Sequence, residues 1–106
     1  MNIEEIREYC LSKSGAIECF PFGDNTLVFK VSGKIFALVS LEERQINLKC
    51  DPELAIELRE QYESVIPGYH MNKKYWNTIL LNGTLPDKSI KEWIDLSYKL
   101  VAKKKV

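Results

Sequence analysis

"TLVFKVSGKIFALVSLEERQINLKC", residues 26 to 50, decides what kind of fold this chain adopts. Two β-rich runs, "TLVFKV" and "KIFALVSL", are separated only by Ser32-Gly33. A two-residue, glycine-containing connection between such runs reads as an antiparallel hairpin, because a tight turn with positive φ matches the twist of the strands. The next segment, "QINLKC" at 45–50, alternates strictly. Ile46, Leu48 and Cys50 point one way, and Gln45, Asn47 and Lys49 the other. A period of two marks a strand with one buried face and a polar outer row.

Helical patterns flank this block. In residues 2–13, Ile3, Ile6 and Cys10 recur at i, i+3 and i+7, with Glu4, Glu5, Arg7, Glu8 and Lys13 on the other faces and Gly15 expected as the cap. Residues 51–63 open with Asp51 as N-cap and Pro52 at the first helical position, and bury Leu54, Leu58 and Tyr62. Residues 87–103 start after Pro86 and repeat Ile90, Trp93, Ile94, Ser97 and Val101 at helical spacing, with Lys103 to Lys105 complementing the helix dipole. Shorter strands are expected within 16–20, broken by Pro21, within 64–70, and at 76–81, closed by Asn82-Gly83. The order predicts one α+β domain over residues 1–106, in two layers, with helices packed on one face of an antiparallel sheet.

Lys plus Arg equals Asp plus Glu at 15 each, which excludes a strongly basic nucleic-acid binder and leaves only a local patch for such a role. Cys10, Cys19 and Cys50 are odd in number and form no CxxC, against both a disulfide framework and a zinc site. Reduced, mostly buried thiols are expected, with Cys19 least constrained by its pattern, in a reducing cytosol. "MNIEEIREYC" lacks the basic start and apolar run of a signal peptide, and no apolar stretch nears the roughly 20 residues that span a bilayer. A cytoplasmic protein without membrane contact is expected.

The five glycines show neither GxGxxG nor Walker spacing, and neither a nucleophile elbow nor an HExxH is present. No cofactor and no enzymatic activity are expected. His70 is the sole histidine and has no catalytic partner set by local spacing. With Asn72 it is expected to hold a turn through local hydrogen bonds. Glu4, Glu5 and Glu8, interrupted by Arg7, make too thin a carboxylate ridge for a metal.

Positive chemistry concentrates in "PGYHMNKKYWNTILLNG", residues 67–83. Lys73 and Lys74 adjoin Tyr75 and Trp76, and cations beside flat rings suit the phosphates and bases of a single strand. On a duplex the lysines would hold phosphates without reading sequence. Arg44 and Lys49, with the outer row between them, extend this surface in the expected layout, and Lys30 and Lys34 flank the hairpin tip. The competing reading places Trp76 in the core or on a sheet face, with solubilising lysines and an ordinary polar outer face. From Asp51 to Glu63, five acidic residues face one basic residue, a surface that repels phosphate.

Taken with these features, "LKCDPELAIELREQY", "PGYHMNKKYWNTILLNGTLPD" and "WIDLSYKLV" resemble the MmcQ/YjbR family of small bacterial proteins. The likeness runs over nearly the whole chain, including "PFG" at 21–23 and "FKVSGKIFAL" at 29–38, and is most specific in "HMNKKYWNT", "LPD" and Ser97-Tyr98. The family often has His where this chain has Tyr75. The resemblance implies a CyaY-like, frataxin-like α+β fold and a DNA-binding role through a double-wing surface. The expected function is weak, salt-sensitive DNA binding by Lys73, Lys74, Tyr75, Trp76, Arg44 and Lys49. The alternatives are a protein-interaction module on the same aromatic surface, and a metal-handling or enzymatic role by analogy of fold.

Overall fold

A computed structural model of the chain describes residues 1–68 and 71–102. In chain order the elements are α1 (Ile3–Leu11), β1 (Ile17–Cys19), β2 (Thr26–Val31), β3 (Lys34–Ser40), β4 (Gln45–Lys49), α2 (Pro52–Gln61), β5 (Val65–Pro67), β6 (Trp76–Leu80) and α3 (Asp87–Val101). The strands form one sheet in the order β1-β2-β3-β4-β6-β5, with every neighbouring pair antiparallel. This is the α+β architecture expected from the sequence.

The β2–β3 hairpin turns as expected. Ser32 and Gly33 both have positive φ, 53° and 78°, the conformation that a two-residue turn needs to match strand twist. One irregularity follows. Phe29 pairs with Ala37 but Lys30 pairs with Ile35, so Phe36 is an extra residue in β3. Phe36 and Ala37 are consequently both buried. The β3–β4 ladder begins at Ala37 opposite Leu48. Just beyond it, the fully buried Ser97 hydroxyl accepts from Lys49 N at 2.9 Å and donates to Phe36 O at 2.5 Å. A side chain of α3 thus bridges the backbone groups where the ladder stops.

The inner sheet face carries Leu27, Phe29, Val39, Ile46, Leu48 and Ile79, and all three helices pack on it. α1 adds Ile6 and Cys10; the whole expected stripe of α3, from Ile90 to Val101, is buried. In α2 the pattern shifts by one position. Ala55 is fully buried while Leu54 and Tyr62 are only half-buried, because the small Ala55 sits where the helix backbone meets β6, its carbonyl accepting from Asn77 Nδ2 at 3.3 Å. Helix ends are also shorter than expected. α1 is opened by a capping box between Asn2 and Glu5 and stops at Leu11, since Ser12 Oγ takes the Tyr9 carbonyl at 2.6 Å. Gly15 is therefore not the cap but part of the following turn, with φ 75°. The expected dipole contribution of Lys103 to Lys105 lies outside the described residues.

Register places Cys19, Val28, Leu38, Asn47, Thr78 and Ile66 in one row across the outer face of all six strands. That face is not the open polar row the alternation suggested. Asn47 is only 5% exposed, and its Oδ1 accepts from Thr78 Oγ1. The connections after β1 and after β5 fold toward it, so that Phe22 and Met71 border the space over Leu38 and Asn47. Cys10 and Cys50 are buried, Cys19 is half-buried, and none is in a disulfide. Burial pushes the Cys10 thiol up to about 12. Among the described residues, no helix is long and apolar enough to cross a membrane.

Candidate nucleic-acid interface

The connection from β5 to β6 is held by its own backbone. Met71 N donates to Gly68 O at 2.9 Å, and Gly68 N donates to Trp76 O at 3.0 Å. A Cβ on Gly68 would stand 3.0 Å from Trp76 Cβ and 3.1 Å from its carbonyl oxygen, so this close approach needs glycine. Asn72 fulfils its expected turn role. Its Oδ1 accepts from Lys74 N at 2.9 Å, and its carbonyl accepts from Tyr75 N and Trp76 N at 3.1 and 3.0 Å. Cys50 N donates to Tyr75 O at 2.7 Å, which ties the loop to the end of β4. His70, the other residue expected to hold this turn, lies outside the described residues.

A further anchor was not foreseen. Arg59, the one basic residue on the acidic surface expected from Asp51 to Glu63, turns inward. Its Nε donates to Asn77 Oδ1 at 2.6 Å, and its Nη2 to the carbonyls of Lys73 and Trp76, the latter at 3.4 Å. The signal available in the sequence was its isolation as the sole cation among the five acids of that segment.

This scaffold gathers most of the expected site. Lys49 and Trp76 are direct ladder partners on the outer face, both half-buried. Lys73, Lys74 and Tyr75 are exposed beside them, and Lys74 Nζ stands 5.7 Å from the Tyr75 ring centroid. Lys30, opposite Ile35, is on the same face and at the same end, whereas Lys34, opposite the core residue Val31, is at that end but on the helix side of the sheet. With strands about 4.8 Å apart, Lys30 and Trp76 lie roughly 15 Å from each other. Arg44 does not belong. It sits at the opposite end of β4, five residues or about 17 Å from Lys49, beside Glu42 and Glu43, with its carbonyl bound to Leu81 N. An extended strand separates residues that a short sequence interval appears to unite.

The ion pairs among the described residues, Met1–Asp87, Arg7–Glu18 and Lys13–Asp95, each involve α1 or the residues just before or after it, on the helix side of the sheet. The exposed Glu53, Glu57 and Glu60 of α2 also belong to the helix layer. The helix layer carries both signs, with the exposed Lys88, Lys91 and Lys99 of α3 in the same layer as the acids of α2. Among the described residues, no three His, Cys, Asp or Glu side chains converge to hold a metal ion.

A family model described as YjbR matches residues 11–100. Over 101 residues the chain is 39% identical to the protein YjbR of Escherichia coli K12, covering 93% of this chain and 86% of that protein. The crystal structure of Deinococcus radiodurans protein DR2400 is similar with a TM-score of 0.91 at 40% identity, covering 97% of this chain and 80% of that one. A Pseudomonas syringae crystal structure is similar with a TM-score of 0.81 at 32% identity, over 95% of this chain and 99% of that one. The match spans the hairpin, the lysine loop and α3 alike, and the chain belongs to the YjbR family.

Proposed function

We propose that this domain binds nucleic acid, DNA in the first instance, weakly and by charge, at the lysine end of its outer sheet face. The observation that carries the reading is that Lys30, Lys49, Lys73 and Lys74 stand at one end of the sheet with Tyr75 and Trp76. Lysines take phosphates as point charges, and exposed rings give bases a stacking surface. The zero net charge supplies no long-range field, so affinity depends on this local cluster. The same proposal puts the domain in the cytoplasm, supported by three cysteines outside any disulfide. A second reading, a protein-interaction module, draws on the exposed Ile17, Phe20 and Phe22 at the β1 edge.

The two readings separate in one titration of the purified protein against single- and double-stranded DNA and RNA at two salt concentrations. Neutralising three or four phosphates gives a slope of log affinity against log salt of about −2 to −3.6. Affinity that ignores salt, or no binding at low salt, would overturn the proposal.

A further inference from the structure

The outer face contains a groove of about 290 Å³ that starts at the end of the sheet away from the lysines and reaches Asn47, two residues along β4 from Lys49. Phe22 and Met71 border it, Leu38 and Asn47 lie in the central row of the sheet beneath, and Glu43 and Gln45 add polar groups from the β3–β4 side. The volume is at the small limit of ligand pockets, about 300 Å³. Its chemistry is that of a planar, partly polar group: apolar side chains for two faces, and an amide and a carboxylate for an edge. Along β4, Asn47 and Lys49 share the outer face two residues apart, about 7 Å. That separation suits one nucleotide, with its base over Asn47 and its phosphate on Lys49. Charge is divided to match. The carboxylate of Glu43, whose Oε1 accepts from Gln45 Nε2 at 3.4 Å, lies at the end away from the lysines.

We infer that the groove between Phe22 and Met71 takes one unpaired nucleobase of a strand whose phosphates lie on Lys49, Lys73 and Lys74, and that Glu43 selects a base with an exocyclic amine. This rests on the nucleic-acid reading above. A carboxylate accepts from the cytosine or adenine amino group but has no donor for the carbonyl that thymine presents at the same place.

The test uses the full chain and labelled ten-nucleotide probes: oligo-dC, oligo-dT, an abasic strand and a duplex, read by fluorescence anisotropy. Oligo-dC is expected to bind about tenfold tighter than the abasic strand, as stacking and edge contacts to one base allow. Phe22 is 64% exposed, so Phe22→Ala leaves the fold intact. It should erase most of the advantage over the abasic strand without changing the salt slope. Glu43→Gln should bring oligo-dC and oligo-dT together. Equal, salt-sensitive binding of base-bearing, abasic and duplex probes would leave the lysine reading standing and overturn the groove. A base preference that survives both substitutions would also overturn it. If no probe binds at low salt, both readings fail.

Discussion

Arg59 Nε donates to Asn77 Oδ1 at 2.6 Å, joining the exposed layer of α2 to a residue that is 1% exposed on the inner face of β6. The same guanidinium reaches the carbonyls of Lys73 and Trp76, so one side chain fixes the helix, the strand and the lysine loop together. Arg59→Ala would strand the buried Asn77 oxygen. A loss of about 2–3 kcal/mol in urea denaturation is expected, since the bond is charge-assisted and its acceptor cannot rehydrate. Arg59→Lys should recover only part, because one ammonium cannot match the fork that serves three acceptors. A loss under about 0.5 kcal/mol for Arg59→Ala, the range of ordinary surface changes, would refute the anchoring role.

The lysine loop and Arg44 should behave differently. Lys73→Ala with Lys74→Ala is expected to weaken nucleic-acid binding about equally across sequences and to flatten the salt slope by up to roughly two units, one per lost phosphate contact. The thermal midpoint should barely move, as both residues are exposed. Arg44→Ala, at the far end of β4, should leave the slope alone. A larger effect from Arg44 than from the lysine pair would relocate the interface.

Ser97→Ala tests the bridge across the bulged strand. The substitution removes the acceptor of Lys49 N and the donor to Phe36 O in a fully buried place. About 1–3 kcal/mol should be lost, because two backbone groups go unpaired together. Hydrogen exchange should show the Lys49 amide losing protection out of proportion to the core. Unchanged protection there would mean that the hydroxyl is dispensable.

A pH-dependent contribution centres on Asp95. Burial works against its charge, but Lys13 and Tyr9 outweigh it by hydrogen bonding, Tyr9 Oη at 2.7 Å, and hold the carboxyl below its ordinary range. Burial likewise opposes the Lys13 charge, and the bonds to Asp95 and Tyr9 again prevail and raise it. A depressed carboxyl stabilises the fold above its unfolded value of about 3.9, and that contribution disappears as pH falls through the lower folded value. A raised amine stabilises below about 10.4, and its contribution disappears as pH rises through the higher folded value. Asp95→Asn should lower the plateau between by no more than about 1 kcal/mol, as the pair is partly solvated. It should also flatten both the acid and the alkaline limbs of urea midpoint against pH. Limbs as steep as those of the parent protein would exclude the cluster as their source.

Hydrophobic period and turn chemistry were enough to establish the elements and their order. The strict alternation of residues 45–50, Ser32-Gly33 and the α3 stripe from Ile90 to Val101 each encode a local preference that burial then satisfies. The turn role of Asn72 was legible for the same reason, since its side chain bonds to backbone two residues away. What sequence could not supply was distance between elements. Ladder register put Lys30 and Lys49 at the Trp76 end and removed Arg44, though Arg44 is only five residues from Lys49. Tertiary packing turned Arg59 from a surface charge into an anchor and buried Asn47 beneath two connections. These outcomes depend on which backbone carbonyl or cross-strand side chain stands opposite a polar group, and that pairing exists only once the sheet and helices have met.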